Sequence, residues 1–239
     1  MRFWGHIFKH EWDNKFSQKV YYVCIGCNRR HRKASGDLSI VYGAIGICPH
    51  CTSNLFLTPA GGTFDGGDYL SYLFSATFYQ GMIQEAIHRY KFRGMRLYST
   101  LFSHLILENL EPLDLSGFDA VTAVPLSKQR LHERGFNQSA LLAEPIARAY
   151  HLDFLPQLLV RTRDTRPQSS LDAPLRRTNV QNAFQATGVS GKRILLVDDI
   201  FTTGHTMDSC SHALLDAGAA HVAGITLSKV DTKRDRLSD

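Results

Sequence analysis

Apolar residues downstream of about residue 69 alternate between two spacings, one typical of strands and one typical of helices. Segments rich in aromatic and β-branched residues predict strands over 69–79, 118–124, 192–199 and 220–230. Apolar residues three or four positions apart predict helices over 81–92, about 97–110, 138–150 and 205–219. Strands and helices that alternate at these lengths favour an α/β fold with a mostly parallel sheet flanked by helices.

Two local features qualify this pattern. Pro145 lies inside the predicted helix 138–150, and we expect it to bend or split that helix because proline has no N–H to donate. The turn-rich stretch TPAGGTFDGGD, residues 58–68, resembles a boundary. We therefore expect a small domain over residues 1–60, an α/β domain over 69–230 and a charged tail over 231–239.

The amino-terminal region contains two paired cysteine motifs, CIGC and CPHC, separated by 20 residues. This spacing is typical of a structural zinc site in which four thiolates bind the metal tetrahedrally. The alternative is four free thiols or two disulfides. His31 and His50 lie nearby but are not needed to complete the set, and Cys210 is expected in the core. The predicted zinc ligands are Cys24, Cys27, Cys48 and Cys51.

Composition and charge narrow the function only slightly. The 239 residues are 44% hydrophobic, with a formal charge of +5 and a pI near 9.0. No apolar run is long enough to span a membrane, and the first residues are too charged for a signal peptide, so we expect a soluble cytoplasmic protein. The positive charge favours anionic partners, which include phosphorylated small molecules and nucleic acid. The basic run NRRHRK, residues 28–33, is either a nucleic-acid contact or a solvated surface.

The segment ILLVDDIFTTGHT, residues 194–206, carries the most specific chemistry. It predicts a buried strand over Ile194–Val197, with two acids at the edge of the sheet and a turn over Thr202–Thr206 that leads into a helix. The amino end of a helix binds phosphate through unpaired N–H groups, whereas carboxylates repel phosphate and accept hydrogen bonds from vicinal hydroxyls. The implied ligand is a ribose 5-phosphate. The alternative is that Asp198 and Asp199 only cap the next helix.

The same residues resemble the phosphoribosyl pyrophosphate (PRPP) binding motif of type I phosphoribosyltransferases. The resemblance implies that Asp198 and Asp199 hold the ribose hydroxyls and that the following loop holds the 5-phosphate. His205 departs from the motif, where small residues are more usual. The loop residues implied by the resemblance are Thr202, Thr203, Gly204, His205 and Thr206.

Further blocks narrow the resemblance to the ComF family, which includes competence proteins of the ComFC type and GntX-type proteins. These blocks are YKFRG (90–94), VPLSKQRLHERGFNQ (124–138), RTRDTRPQSSLDAPLRRTNVQNAF (161–184) and the DDIFTTG segment. The likeness covers roughly residues 80–228. It implies a type I phosphoribosyltransferase-like fold with an amino-terminal zinc ribbon, a pyrophosphate-binding role for Arg134, and a loop over Arg161–Arg177 that closes over the site. The alternatives are a solvated surface arginine and an ordinary linker.

Two hypotheses of function follow. In the first, the protein is an enzyme that binds PRPP with magnesium and transfers the phosphoribosyl group to a nitrogen nucleophile, with Asp198, Asp199 and Arg134 as catalytic residues. In the second, the same fold is a competence module that contacts single-stranded DNA or a helicase during DNA uptake. The sequence does not identify the acceptor, and fold alone does not choose between the two.

Overall fold

The computed structural model describes residues 21–34, 39–162 and 183–231. Their strands form a six-stranded, a four-stranded and a two-stranded sheet. The strands are β1 (Tyr21–Cys24), β2 (Arg30–Arg32), β3 (Ile40–Tyr42), β4 (Ile45–Ile47), β5 (Thr63–Phe64), β6 (Leu73–Phe78), β7 (Ala120–Ala123), β8 (Asp153–Phe154), β9 (Leu159–Arg161), β10 (Phe184–Ala186), β11 (Arg193–Phe201) and β12 (His221–Lys229).

Six helices accompany these strands in the described ranges. They are α1 (Pro49–Thr52), α2 (Gly81–Phe92), α3 (Tyr98–Leu110), α4 (Lys128–Arg134), α5 (Gln138–Ala149) and α6 (His205–Asp216). None of them combines the length and the apolar character that crossing a bilayer requires. From β6 onward the helices come in pairs: α2 and α3 follow β6, as the apolar spacing predicts, and α4 and α5 follow β7.

The six-stranded sheet has the order β5-β6-β12-β11-β7-β8. Its strands are parallel except β5, which pairs antiparallel with β6 at one edge. Strand β11 lies in the interior, between β12 and β7. The predicted α/β class with a mostly parallel sheet is therefore confirmed.

Side chains of β11 alternate between two hydrophobic clusters because successive residues of a strand point to opposite faces. Leu195 and Val197 belong to the cluster that contains buried residues of α2, α3 and α5. Ile194 and Leu196 belong to the other cluster, with Met207 of α6. All four β11 residues are fully buried, so helices cover both faces of the central strand.

The four-stranded sheet, in the order β2-β1-β4-β3, carries the paired cysteine motifs. Its buried residues Tyr22, Ile25 and Ile47 share one hydrophobic cluster with Ile83 of α2 and Tyr98 of α3. Strand β5 lies inside the glycine-rich stretch 58–68 and pairs with the large sheet. The small sheet therefore packs directly against the α/β part, and the limits of the two domains remain a prediction.

Helix α4 and strands β8, β9 and β10 were not predicted from the sequence. Two predicted elements beside the acid pair also differ from their prediction. Strand β11 contains the acid pair, as predicted, but continues two residues further to Phe201, because its backbone stays paired with β12 as far as Lys229. Helix α5 forms one helix over Gln138–Ala149 with Pro145 inside it, so the expected split does not occur. Apolar residues on both sides of the proline are buried against the sheet, and this burial offsets the missing hydrogen bond. They are Leu142, Ala143, Ile146 and Ala147.

Replacing Pro145 with alanine is expected to stabilise the protein. The variant supplies an N–H to the carbonyl of Leu141 and removes the clash of the ring with that carbonyl, which together are worth about 3 kcal/mol in a helix interior. The greater freedom of the unfolded chain subtracts about 1 kcal/mol. We expect the free energy of unfolding in urea to rise by about 1 to 2 kcal/mol. A decrease would show that the helix has adapted to the proline at no cost.

Candidate functional site

The acid pair lies at the carboxyl end of β11, beside the first turn of α5. The Ser139 hydroxyl donates a hydrogen bond to Asp198 Oδ1 over 2.7 Å, and the Asp199 N–H donates to the same oxygen over 2.9 Å. Asp199 is buried, with 6% of its surface exposed, and Asp198 is half-buried. The carboxyl end of a parallel strand is where open α/β sheets bind ligands, so the pair occupies a site suited to that use.

Lys91, in the last turn of α2, forms an ion pair with Asp199. Its Nζ lies 2.8 Å from Asp199 Oδ1, and the two side chains are 19% and 8% exposed. Water screens such a pair only weakly, and its desolvation cost is offset only when the geometry is good. Lys91 therefore fixes the orientation of Asp199 and compensates one of the two acidic charges.

Asp198 has an unusual proton affinity. Burial raises its pKa, and the neighbouring Asp199 charge raises it further, while Lys91 and the Ser139 hydroxyl act in the opposite direction. The resulting pKa is about 7. Because two adjacent carboxylates in low dielectric do not both ionise easily, the pair takes up a proton close to neutral pH.

Arg134 lies within electrostatic reach of both acids, at the end of α4. Burial lowers its pKa, whereas the charges of Asp199 and Asp198 raise it. Its Nη1 donates to Gln138 Oε1 over 3.0 Å, and its guanidinium lies 5.1 Å from the ring centroid of Phe92. The guanidinium remains charged. These contacts hold Arg134 in a defined position beside the acid pair.

The loop after β11 is exposed, and its conformation depends on one glycine. Gly204 has φ +79°, and a Cβ atom there would lie 2.8 Å from Phe201 Cζ. Its neighbours Thr202, Thr203, His205 and Thr206 are exposed. Gly204 is the N-cap residue of α6, and no side chain among the described residues caps this helix. The alternative interpretation, in which the two aspartates cap the helix, is therefore wrong, and the first N–H groups of α6 have no partner within the helix.

The four cysteines of the paired motifs meet at one point. Their Sγ atoms all lie within 4.8 Å of one another, with Cys27 and Cys48 4.0 Å apart, and all four are free thiols. Tetrahedral zinc with Zn–S bonds of about 2.3 Å separates its sulfurs by about 3.8 Å, so the set fits the metal. His31 Nε2 lies 3.3 Å from Cys27 Sγ, outside the set of four ligands. Cys210 is fully buried in α6, as predicted.

Most of the arginine-rich segment lies outside the described residues. Arg161 is described at the end of β9, where its guanidinium lies 5.5 Å from the ring centroid of Phe184. Residues 163–182, which contain the other four arginines of the expected loop, are among those not described. The closing role of this loop remains a prediction.

Two residues that contact the acid pair were not identified from the sequence. Lys91 lies inside the YKFRG block. A buried acid pair requires a nearby cation, and this requirement could have indicated Lys91 from the sequence. Ser139 directly follows the block that ends at Gln138, and no local pattern distinguishes it from other helical serines. Both contacts join parts of the chain that are distant in sequence.

Comparisons with known proteins agree with this geometry. The model of the phosphoribosyl transferase domain matches residues 142–238. The DNA utilization protein YhgH of Escherichia coli O157:H7 is 40% identical over 141 residues, which cover 57% of this chain and 62% of that protein. YhgH of Salmonella typhi is 32% identical over 185 residues, covering 74% and 82%. The competence protein ComFC of Bacillus subtilis strain 168 is 26% identical over 231 residues, covering 90% and 92%.

A solved structure gives a weaker match. The glutamine PRPP amidotransferase of B. subtilis, complexed with ADP and GMP, superposes with a TM-score of 0.36 at 22% identity, covering 56% of this chain and 26% of that one. Together, the domain match, the sheet and the cysteine cluster define a type I phosphoribosyltransferase-like protein with an amino-terminal zinc-ribbon-like site. The chain belongs to the ComF family.

The pKa of Asp198 predicts how stability depends on pH. The folded-state value of about 7 lies above the unfolded value of about 3.9. The folded state therefore keeps a proton that the unfolded state releases, and this stabilisation is lost as pH rises through that window. Asp198→Asn removes the titration. We therefore compare the free energy of unfolding of the variant with that of the native protein. This difference should shift in favour of the variant by on the order of 1 kcal/mol when the pH is raised from 5 to 8.

Urea denaturation at both pH values measures this difference. The exposed Glu144 provides the control Glu144→Gln, because its partner Arg148 does not titrate between these pH values. That variant should show the same offset from the native protein at pH 5 and at pH 8. An Asp198→Asn offset that is equal at the two pH values would show that the carboxyl ionises normally in the folded protein.

Proposed function

We propose that the protein binds PRPP, or another ribose 5-phosphate, at the carboxyl end of β11. The observation that carries this proposal is the arrangement of Asp198 and Asp199 directly before the exposed loop and the uncapped amino terminus of α6. Vicinal hydroxyls suit the carboxylates, and a phosphate suits the N–H groups of the helix and the threonine hydroxyls. A phosphorylated pentose carries both kinds of group at a fixed separation.

The contacts already made by the acids leave room for hydroxyl donors. A carboxylate offers about four acceptor positions on its two oxygens. The hydrogen bond from Ser139 to Asp198 and the ion pair of Lys91 with Asp199 both use the Oδ1 atom of the acid. The Oδ2 atoms therefore supply acceptors for a diol, while Lys91 and Ser139 keep both carboxylates in place.

The reaction proposed for this site is transfer of the phosphoribosyl group. A nitrogen nucleophile forms a bond to C1 of the sugar as the bond from C1 to the pyrophosphate oxygen breaks, and the electron pair leaves with pyrophosphate. The carboxylates favour the positive charge that develops on the ribose, and Arg134 offsets negative charge on the leaving group. Magnesium bound with PRPP would supply positive charge that offsets the charge of the pyrophosphate, while Asp198, Asp199 and Arg134 would hold the substrate. The nucleophile is an unidentified nitrogen acceptor.

The zinc site and the cellular role complete the proposal. The four thiols bind zinc as a structural metal that closes the amino-terminal sheet. The names of the relatives, competence protein and DNA utilization protein, support a role in DNA uptake or use, and we propose the cytoplasm as the place of that role. Because the matched segment spans 62% of the E. coli protein, that role is proposed for this chain by similarity.

A second candidate function is contact with single-stranded DNA, alone or with a helicase partner. The hairpin of β1 and β2 carries exposed Tyr21, Arg30 and Arg32, with the Arg30 guanidinium 4.6 Å from the Tyr21 ring centroid. Aromatic rings and arginines side by side suit stacked bases and a phosphate backbone. This surface is on the small sheet, so it is compatible with a ligand at the acid pair.

Asp199→Asn tests the first candidate. The change removes a negative charge beside the ribose and breaks the pair with Lys91, so we expect the affinity for PRPP with magnesium to fall about tenfold or more, or about 1.4 kcal/mol. Isothermal titration calorimetry with and without magnesium measures it. Asp216→Asn is the control and should bind as the native protein does. Absence of binding by the native protein at millimolar PRPP would exclude the proposed ligand.

Changing Arg29, Arg30 and Arg32 together to alanine tests the second candidate. If these side chains neutralise phosphates, the slope of log affinity against log salt should become shallower by about 0.7 for each phosphate that the variant no longer neutralises. Fluorescence anisotropy with labelled single-stranded DNA over a range of salt concentrations measures the slope, and Arg148→Ala should leave it unchanged. Native protein that shows no salt-dependent DNA binding would rule out direct contact.

A further inference from the structure

Helix α2 connects the four-cysteine site to the acid pair. Three consecutive residues in its last turn, Arg89, Tyr90 and Lys91, each contact a different part of the molecule. We propose that α2 couples the state of the cysteine site to the position of the acid pair, and that Arg89 is the positioning residue that makes this coupling. The consequence for ligand binding rests on the proposed function, whereas the coupling itself does not.

At the metal end, Arg89 contacts the first cysteine motif. Its Nη2 donates hydrogen bonds to the carbonyls of Ile25 and of Gly26, the latter over 2.7 Å. These are the two residues between Cys24 and Cys27, so both carbonyls keep their direction only while the turn stays closed. Within the described residues the Nε of Arg89 is buried without a hydrogen-bond partner. The guanidinium therefore depends on the two carbonyls and on a longer contact with Glu85, at 3.5 Å.

The two cysteine motifs and α2 are also closely packed against one another. A Cβ atom on Gly26 would lie 2.7 Å from Cys51 Sγ and 3.2 Å from Cε of Met82, the second residue of α2. Met82 itself is 7% exposed. Opening of either cysteine motif therefore moves atoms that contact Met82 at the start of α2 or Arg89 near its end. A close-packed interior transmits such a movement to the helix.

On the other side of the same turn, α2 contacts Asp199 directly and reaches Asp198 through α5. Lys91 Nζ contacts Asp199, and the Tyr90 hydroxyl donates to the Gln138 carbonyl over 3.0 Å. The residue after Gln138 is Ser139, which donates to Asp198. Successive residues of a helix point about 100° apart and rise about 1.5 Å each, so Arg89 and Lys91 are about 3 Å apart along one rigid turn.

The coupling follows from the cost of burying charge. When the first cysteine motif opens, the half-buried guanidinium of Arg89 loses the carbonyls that compensate it, and the last turn of α2 must move to solvate it. The buried Lys91–Asp199 pair depends on good geometry, so the same movement weakens it. Coupling between two sites is reciprocal in binding free energy, so a ligand that orders the acid pair must also raise the affinity for the metal.

Arg89→Met in the zinc-loaded protein tests the proposal. Methionine keeps the apolar stem and removes the guanidinium. We expect zinc release to a chelator to be faster by about fivefold or more, and amide hydrogen exchange to be faster in residues 137–141 and 197–206. Arg148→Met is the matched control, because Arg148 makes the same i, i+4 pair, with Glu144, on an exposed face. It should change neither measurement.

Two results would overturn the proposal. One is faster zinc release from Arg89→Met with native exchange rates in both segments, and the other is no change in either measurement. If the variant does not fold, the native protein is compared with and without chelator at the same segments. Faster exchange there, with β12 still protected, supports the coupling. Equal loss of protection in β12 contradicts it, because the metal would then support the whole fold equally.

The exchange measurement needs no sugar ligand, so it separates this proposal from the proposed function. A protein that does not bind PRPP still reports the coupling through exchange and zinc release. If PRPP does bind, it should raise the zinc affinity of the native protein, measured at equilibrium against a chelator, and do so less for Arg89→Met. An equal effect of PRPP on zinc binding by the two proteins would show that Arg89 does not couple the cysteine site to the acid pair.

Discussion

Two adjacent carboxylates at the end of a buried strand impose the constraint on which the rest of the site depends. The chain cannot hold Asp198 and Asp199 at the end of β11 without compensating their charge. The compensation comes from three helices: Lys91 on α2, Ser139 on α5 and Arg134 on α4. The electrostatic energy of the acid pair therefore depends on the positions of all three helices. A displacement of any one helix leaves buried charge less well paired.

The nearby positive charges compensate the two acids only in part, and the remaining imbalance determines the proton affinity of the site. Lys91 and Arg134 supply two positive charges beside two acids, yet burial still raises the pKa of Asp198 to about 7. Near neutral pH, a carboxyl group with this pKa either binds a proton or accepts a hydrogen bond from a donor, with a small difference in free energy between the two. Hydroxyl donors from a ligand would favour the ionised form. The same geometry that costs the empty protein stability thus favours a ligand rich in hydroxyls, which supports the proposed phosphorylated pentose.

The sequence predicted the local features of this arrangement and missed the long-range ones. Helix α2 has the bounds that the apolar spacing of Ile83 and Ile87 indicates, and the cysteines cluster as their paired spacing requires. Both signals are local. Strand β11 extends two residues beyond the predicted end at Asp199, because its backbone stays paired with β12 as far as Phe201 and Lys229, whatever the polarity of the side chains. The contact of Lys91 with Asp199 depends on how α2 packs on the sheet, which no local pattern encodes.

The same packing explains why the cysteine site belongs to the architecture of the α/β part. Strands of three or four residues bury too little surface to form a core of their own. The small sheet instead buries Tyr22 and Ile47 in the cluster that contains Ile83 and Tyr90 of α2. A metal that closes this sheet also supports the helix that compensates the acid pair. The two cysteine motifs and the two aspartates, although far apart in the chain, therefore act on the stability of one shared element.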